Sequence, residues 1–255
     1  MTKQQQNVGD MGFWHHFGEL RIRLIKSVGI IFLSFCGCYS FHKQIFQLLR
    51  YPFDQAYQTV LGKTPVLIQT GILEAFFVYL KLSLLASLFV ASPFIFYQAW
   101  RFVAPGLKVN EKRHIIPFVF LATLFFIGGA LFGYFFVFPK GFGFFLSLTA
   151  DQNIEALIKM QDYYKLAAWM LMGFGISFES PLIVMYLVFF GVLSRDTLIR
   201  AWRGVIVGIV VFSAIITPTP DPGTLMMMSL PLIGLYGLTI VVTYFFPNRK
   251  NRDAH

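Results

Sequence analysis

Apolar residues dominate the chain in six long stretches, and shorter segments between them carry most of the polar and charged side chains. Roughly 20 apolar residues is the length that an α-helix needs to cross the hydrocarbon core of a bilayer. The pattern therefore predicts an all-α polytopic membrane protein with six transmembrane helices. The predicted spans cover residues 24–40, 75–98, 115–138, 166–190, 204–216 and 224–246.

The fifth and sixth predicted helices are short. A helix over 204–216 reaches only about 20 Å, against about 30 Å of hydrocarbon. Three prolines between positions 218 and 222 end the fifth span, and Pro231 is expected to kink or shorten the sixth. We therefore expect neither helix to cross fully, and the bilayer to become thinner beside them.

The remaining segments complete a single-domain prediction for residues 1–255. Phe13, Phe17, Leu20 and Leu24 recur at helical spacing, which is typical of an amphipathic helix. The long loops after the first and third spans are predicted to form a periplasmic cap of short helices. The predicted parts are a cytoplasmic N-terminal helix at 1–23, a six-helix bundle at 24–246 and a cytoplasmic tail at 247–255.

The distribution of basic residues predicts the orientation. The chain has 255 residues, 13% of them charged, and a net charge of +9. The two tails and the loops between spans two and three and between spans four and five, with the adjoining span ends, hold 14 of the 21 Lys and Arg residues. The positive-inside rule then places both termini in the cytoplasm. Nucleic-acid binding is not expected, because these basic residues are spread over loops that abut lipid.

Two glutamates, Glu19 and Glu111, lie on this predicted cytoplasmic side. A carboxylate there can hold a cationic guest, and two carboxylates can hold a guest with two cationic side chains. Each also has a simpler interpretation. Glu19 can pair with Arg23 one helical turn later, and Glu111 can be the acidic residue of a first helical turn.

Glu179 is predicted to lie in the middle of the fourth span. A charged side chain at that depth costs about 2.5–3.5 kcal/mol on insertion scales and usually faces protein or water. Pro181 adds a second polar group, because it frees the carbonyl of Ser177. The alternative is a protonated glutamate bonded within the bundle. Asp221, among the prolines after the fifth span, can cap the sixth helix.

Catalytic and metal-binding patterns are absent from the sequence. There is no zinc-protease, hydrolase-elbow or P-loop motif, so we expect no enzyme activity, cofactor or metal. Cys36 and Cys38 are interpreted as small apolar residues within the first span. His15 and His16 are adjacent in the chain, which is poor geometry for a metal site.

Four separated motifs stand out: H-x-x-E-L-R-x-R-L at 16–24, P-x-x-x-Y-Q-x-W-x-F-x-x-P-G-L-x-x-x-E-K-R at 93–113, G-x-S-F-E-x-P at 175–181 and T-P-x-P-D-P at 217–222. These motifs resemble those of the TatC family, the core subunits of the twin-arginine protein translocase, and segment 74–81, E-A-F-F-x-Y-x-K, is similar too. The resemblance covers almost the whole chain in order.

The resemblance implies a receptor for signal peptides that carry two adjacent arginines and direct folded proteins to export. It implies that Glu19 and Glu111 accept the guanidinium groups. Four residues are expected in the same surface patch: Arg21, Arg23, Phe102 and Leu107. The apolar part of the signal peptide is expected to lie in a concave face of the bundle near Glu179.

The resemblance also implies partners and a location. The single-span subunits TatA and TatB are expected to dock on the fifth and sixth spans and near Glu179 and Asp221. We expect a multi-pass protein of the bacterial inner membrane that self-associates in a receptor complex, with the proton-motive force as the energy source. One departure is Leu225, where relatives often carry a polar residue, which puts one polar partner contact in doubt.

Two other functions fit parts of the sequence. An ion-coupled small-solute transporter could use Glu179 as its coupling site, although transporters usually show internal repeats and this chain shows none. An intramembrane enzyme fits less well, because the sequence offers no pairing of a nucleophile with a base.

Overall fold

The structure is a computed structural model that describes residues 4–103, 115–150, 157–189, 193–216 and 222–244. Within these ranges the chain is helical almost throughout. The helices are α1 (Gln4–Ser40), α2 (His42–Leu61), α3 (Glu74–Val103), α4 (Ile115–Phe132), α5 (Phe138–Ala150), α6 (Met160–Phe189), α7 (Arg195–Ile216) and α8 (Pro222–Tyr244). A π-helical turn, Gly133–Val137, joins α4 to α5. Two short strands, β1 (Leu67–Ile68) and β2 (Ile158–Lys159), pair in parallel.

Six helical segments among the described residues are long and apolar enough to cross a membrane, which confirms the predicted number. The last two are the shortest, with 20 and 19 residues, as predicted. The third has 33 residues because the helix continues through the π-helical turn. The segments are His16–Ser40, Glu74–Phe102, Ile116–Leu148, Met160–Val188, Asp196–Ile215 and Leu225–Thr243. The side on which the termini lie stays a prediction.

The predicted length of the fifth helix is too short. Helix α7 begins at Arg195, nine residues before the predicted start at 204, and its 22 residues reach about 33 Å. Arg200 and Arg203 lie inside the helix, because a long basic side chain can extend to the interface while its backbone stays helical. Helix α8 also continues through Pro231 and is not shortened by it. Thinning of the bilayer stays a prediction.

Helix α1 runs without a break from the predicted N-terminal helix into the first span. None of the side chains in His16–Ser40 is buried, and large apolar residues such as Phe32 and Leu33 are 67% and 75% exposed. In water this surface would be an apolar patch far larger than a soluble monomer tolerates. A bilayer removes that penalty, so α1 is suited to contact with lipid.

The segments between spans contain longer elements than the predicted short helices. The segment after α1 holds one helix of 20 residues, α2. The chain also divides into two compact units, Met1–Ile45 with Tyr79–Thr123 and Phe46–Val78 with Leu124–His255. The boundaries fall inside α2, α3 and α4. The division into one membrane domain stays a prediction.

The second unit is organised around an apolar cluster of Val137, Phe174, Met228 and Leu232. These residues come from the π-helical turn, α6 and α8, and none is more than 6% exposed. Burial of four large side chains is a substantial apolar contribution to the stability of this unit. The cluster fixes the position of α6, the helix that carries Glu179.

Close approach of α4 and α6 depends on glycine. A Cβ atom at Gly129 would lie 2.7 Å from the carbonyl oxygen of Phe174 and 2.7 Å from Cβ of Phe178. A Cβ atom at Gly133, one turn later, would lie 2.8 Å from the Phe174 ring. Helices in membranes associate through such small residues, because lipid offers no hydrophobic drive for helix association.

Helix α2 is held by tyrosine hydroxyl groups. Pro52 has no N–H, so the carbonyl of Leu48 one turn earlier loses its helical partner. The hydroxyl of Tyr134 donates a hydrogen bond of 2.6 Å to that carbonyl. Two neighbouring carbonyls receive further hydroxyl groups: Tyr163 donates to Leu49 at 2.5 Å and Tyr164 donates to Phe46 at 3.1 Å. These bonds attach α2 to the π-helical turn and the start of α6.

Two span helices contain a proline that is preceded by serine. Proline frees the carbonyl four residues earlier. In α3 and in α6, the hydroxyl of the serine before the proline donates a hydrogen bond to that carbonyl. The bonds are Ser92 to Phe89 and Ser180 to Ser177, each 2.7 Å long. The carbonyl of Ser177, expected to be a free polar group near Glu179, is therefore already paired.

Glu74, the first residue of α3, joins two distant segments. Its Oε2 accepts hydrogen bonds from the backbone N–H of Thr70 at 2.7 Å and of Gly71 at 3.2 Å, and from the hydroxyl of Thr70 at 3.0 Å. Its Oε1 accepts the backbone N–H of Gln161 at 2.9 Å. One carboxylate thus connects the start of α3 with the start of α6.

The glycine packing predicts opposite outcomes at two adjacent positions. Gly129→Ala is expected to destabilise the protein by about 1–3 kcal/mol, because a backbone atom blocks the added methyl group. Gly128→Ala is the matched control, since a Cβ atom there meets nothing within 4 Å. Thermal melting in detergent measures both variants. Equal melting temperatures would contradict the packing described here.

The Glu74 bridge predicts a local effect on the start of α6. In Glu74→Gln an NH₂ group replaces one carboxylate oxygen, and this group cannot accept a hydrogen bond from a backbone N–H. The backbone N–H of Gln161 should therefore exchange faster with deuterated solvent. Asp54→Asn, which removes a partly exposed pair with Arg50, is the control and should leave that exchange unchanged. Unchanged exchange in both variants would show that the bridge does not hold the two segments.

Candidate functional site

Glu19 lies on α1 with its carboxylate bound to Arg23. Nε of Arg23 donates to Oε1 of Glu19 at 3.2 Å, and Nη2 of Arg23 donates to the same oxygen. This confirms the simpler interpretation that the two residues pair along the helix. Such pairs contribute only about 0.3–0.5 kcal/mol to an isolated helix, so a stronger partner can replace Arg23.

Phe102, at the end of α3, lies near this pair through a contact that the sequence analysis missed. The ring of His16 stacks on the ring of Phe102, with centroids 4.3 Å apart and an angle of 20° between the planes. His16 precedes Glu19 by three residues and therefore lies on the same side of α1. The structure thus brings Glu19, Arg23 and Phe102 into one neighbourhood.

Arg21 is exposed on α1, on a different side from Glu19. Leu107 and Glu111 lie outside the described residues, so their place in the patch stays a prediction. The helix ends on either side of them are close to each other. Trp100 of α3 and Phe118 of α4 stack with their ring centroids 5.1 Å apart.

Glu179 lies on α6 and is partly buried. Its carboxylate lies close to the backbone of Phe126 in α4. Its Oε1 is buried and accepts no hydrogen bond from the described part of the chain. Gly175, one turn earlier, permits this approach, because a Cβ atom there would lie 2.8 Å from the Phe126 ring and 3.2 Å from its carbonyl.

The start of α8 holds the remaining predicted positions. Asp221 lies outside the described residues, directly before Pro222, the first residue of the helix. Met226 is 59% exposed, whereas Met228 is fully buried in the apolar cluster. Leu225 and Met226 thus present an aliphatic group and a thioether group at the place where relatives often carry a polar residue. Such surfaces pack adaptably against different partners.

Comparisons with known proteins agree with one family. The family model described as Sec-independent protein translocase protein (TatC) matches residues 15–231. The Sec-independent protein translocase protein TatC of Desulforapulum autotrophicum is 40% identical over 94% of this chain and 87% of its own length. The TatC protein of Magnetococcus marinus is 42% identical over 88% of this chain and 81% of its own length.

Solved structures agree with the fold. A crystal structure described as the twin arginine translocase receptor TatC in DDM superposes with a TM-score of 0.78 at 34% identity. The match covers 89% of this chain and 98% of that one. A second crystal structure of a twin arginine translocase receptor TatC gives a TM-score of 0.77, also at 34% identity.

The helical fold and these likenesses define a multi-pass membrane protein that is a component of a protein translocase and not an enzyme. Its relatives cover nearly the whole chain and its fold matches theirs in the order of the helices. The chain belongs to the TatC family of Sec-independent protein translocase proteins.

The unbonded oxygen of Glu179 predicts that this residue does not stabilise the fold. Glu179→Met, with a side chain of similar length and no charge, is expected to melt at the same temperature as wild type or higher. Ser180→Ala is the comparison, and it should lose about 1 kcal/mol because the carbonyl of Ser177 is left without its hydroxyl donor. A marked loss of stability in Glu179→Met alone would contradict this prediction.

Proposed function

We propose that this chain is the receptor for export signals that carry two adjacent arginines. The observation that carries the proposal is the partly buried Glu19 carboxylate, which binds a guanidinium group. It lies one helical turn from His16, whose ring stacks on Phe102. A carboxylate matches the planar fork of arginine, whereas lysine offers only a point charge. Glu19 and Glu111 are the acceptors, with Arg21, Arg23, Phe102 and Leu107 around them.

The relatives support this proposal through their names. A protein of the same fold is described as a twin arginine translocase receptor, and we assign that role here by similarity. In this proposal the signal peptide presents its arginine pair to the two glutamates, and its apolar segment lies near Glu179. The proposed cargo is folded protein, carried across the bacterial inner membrane.

Helix α7 supports a proposal about partners. Val207, Val211 and Ile215 recur every four residues on one face of α7 and are 62%, 53% and 70% exposed. An apolar stripe at this spacing fits a single membrane helix lying alongside. We propose that TatA and TatB, which span the membrane once, dock on α7 and α8 and near Glu179, and that receptor copies assemble together.

The energy source follows from the chemistry of the chain. The sequence has no P-loop, so nothing in it points to nucleotide hydrolysis, and we propose the proton-motive force. An ion-coupled solute transporter is the second candidate, because one oxygen of the intramembrane Glu179 accepts no hydrogen bond from the described residues. Solute uptake by the purified protein in vesicles would favour that candidate over the receptor.

The receptor proposal predicts selective loss of peptide binding. Glu19→Gln and Glu111→Gln are each expected to weaken binding of an arginine-pair peptide about tenfold, the loss of one charge-assisted hydrogen bond. A lysine-pair peptide should bind the wild-type protein more weakly than an arginine pair. Titration of a fluorescent peptide into the purified protein measures these affinities.

A matched control tests whether charge alone explains the loss. Asp196→Asn removes an exposed acid at the start of α7 and should leave binding unchanged. Equal affinity for arginine and lysine peptides, or an equal loss in all three variants, would rule out recognition by this pair of glutamates.

A further inference from the structure

The carboxylate of Glu19 is already bound to a guanidinium group, and that group belongs to the same helix. Two nitrogen atoms of Arg23, Nε and Nη2, donate to one oxygen, Oε1 of Glu19. Both side chains are partly buried, with 16% of the Arg23 side chain and 23% of the Glu19 side chain exposed. The proposed acceptor for a guest arginine therefore has a resident occupant.

We propose that Arg23 is an intramolecular competitor for the Glu19 carboxylate, which an arginine of the guest peptide displaces on binding. This inference rests on the function proposed above for Glu19. A guest that grips the carboxylate in bidentate fashion needs both of its oxygens, and two donors of Arg23 already share Oε1. Arg23 and a bidentate guest therefore exclude each other.

Helix geometry explains why Arg23 and not Arg21 holds this position. Residues four apart lie on the same side of a helix, and Glu before its basic partner is the favourable order. Arg21 follows Glu19 by two residues, so it points to a different side of α1, and it is exposed. Arg21 carries the same charge as Arg23 at a nearby position on α1, but it does not lie on the side of the Glu19 carboxylate.

Competition has a quantitative signature. An occupied site lowers the apparent affinity of a guest that must first release the occupant. Removal of Arg23 therefore strengthens binding of the arginine-pair peptide, which needs both oxygens, more than binding of the lysine-pair peptide, which can use Oε2 alone. If Arg23 instead oriented Glu19 toward the guest, its removal would weaken binding.

The test titrates two fluorescent peptides, one with an arginine pair and one with a lysine pair, into the purified full-length chain in nanodiscs. The variants are Arg23→Gln, Arg21→Gln, the charge-preserving Arg23→Lys, and Glu19→Gln. Arg23→Gln is expected to strengthen binding of the arginine-pair peptide about twofold more than Arg21→Gln does. Arg23→Lys should lie between the wild type and Arg23→Gln.

Each result decides for or against the competition. Equal affinities for Arg23→Gln and Arg21→Gln would mean that only net charge matters, and weaker binding by Arg23→Gln would mean that Arg23 assists the guest. Either result overturns the proposal. If melting curves show that Arg23→Gln is unfolded, the affinity of Arg23→Lys, which keeps the charge, tests the competition instead. An affinity of Arg23→Lys no higher than that of the wild type overturns the proposal.

Glu19→Gln separates the two proposals. Wild-type affinity for the arginine peptide in that variant would overturn the receptor function itself. Loss of affinity in Glu19→Gln, together with matching affinities of Arg23→Gln and Arg21→Gln, would leave the receptor function standing and remove only the competition.

Discussion

Within a bilayer there is no water to satisfy a polar group, so each carbonyl that leaves the helical pattern needs a partner inside the protein. This constraint accounts for much of the detail of the structure. The prolines of α3 and α6 are each preceded by a serine that donates to the freed carbonyl. These two spans can therefore contain proline without leaving that carbonyl unpaired in lipid. Outside the spans, Pro52 releases a carbonyl of α2, and Tyr134 donates to it.

Three carboxylates differ from one another in how the protein holds them. Glu74 is fixed by donors from two segments, which suits a structural joint. Glu19 binds Arg23 of the same helix, and a pair of this kind is weak enough to exchange for a guest. Glu179 keeps a buried oxygen that no described residue satisfies. Glu74 is thus suited to stabilising the fold, whereas Glu19 and Glu179 are suited to binding.

The sequence predicts the six spans because stretches of about twenty apolar residues are long enough to cross a bilayer. It singles out Glu179 because a charge inside a span is costly, and Glu19 because it is an acid on the predicted positive side of the membrane. Hydropathy did not predict the start of α7. Its first turns contain Arg195, Arg200 and Arg203, and a segment this rich in charge is typical of a loop, although the helix runs through it. The π-helical turn, the tyrosine bonds to α2 and the stacking of His16 on Phe102 were also missed. The tyrosine bonds and the ring stacking join residues far apart in the chain, and no local pattern records such a contact.

The central claim is that a carboxylate at the end of the first span grips the arginine pair of an export signal. Photo-crosslinking from a probe placed beside the arginines of a signal peptide tests this most directly, with mass spectrometry to locate the attached residues. The account predicts attachment around positions 19, 107 and 111, and loss of that attachment when the arginine pair becomes a glutamine pair. Attachment elsewhere on the chain, or attachment that persists without the arginines, would contradict it.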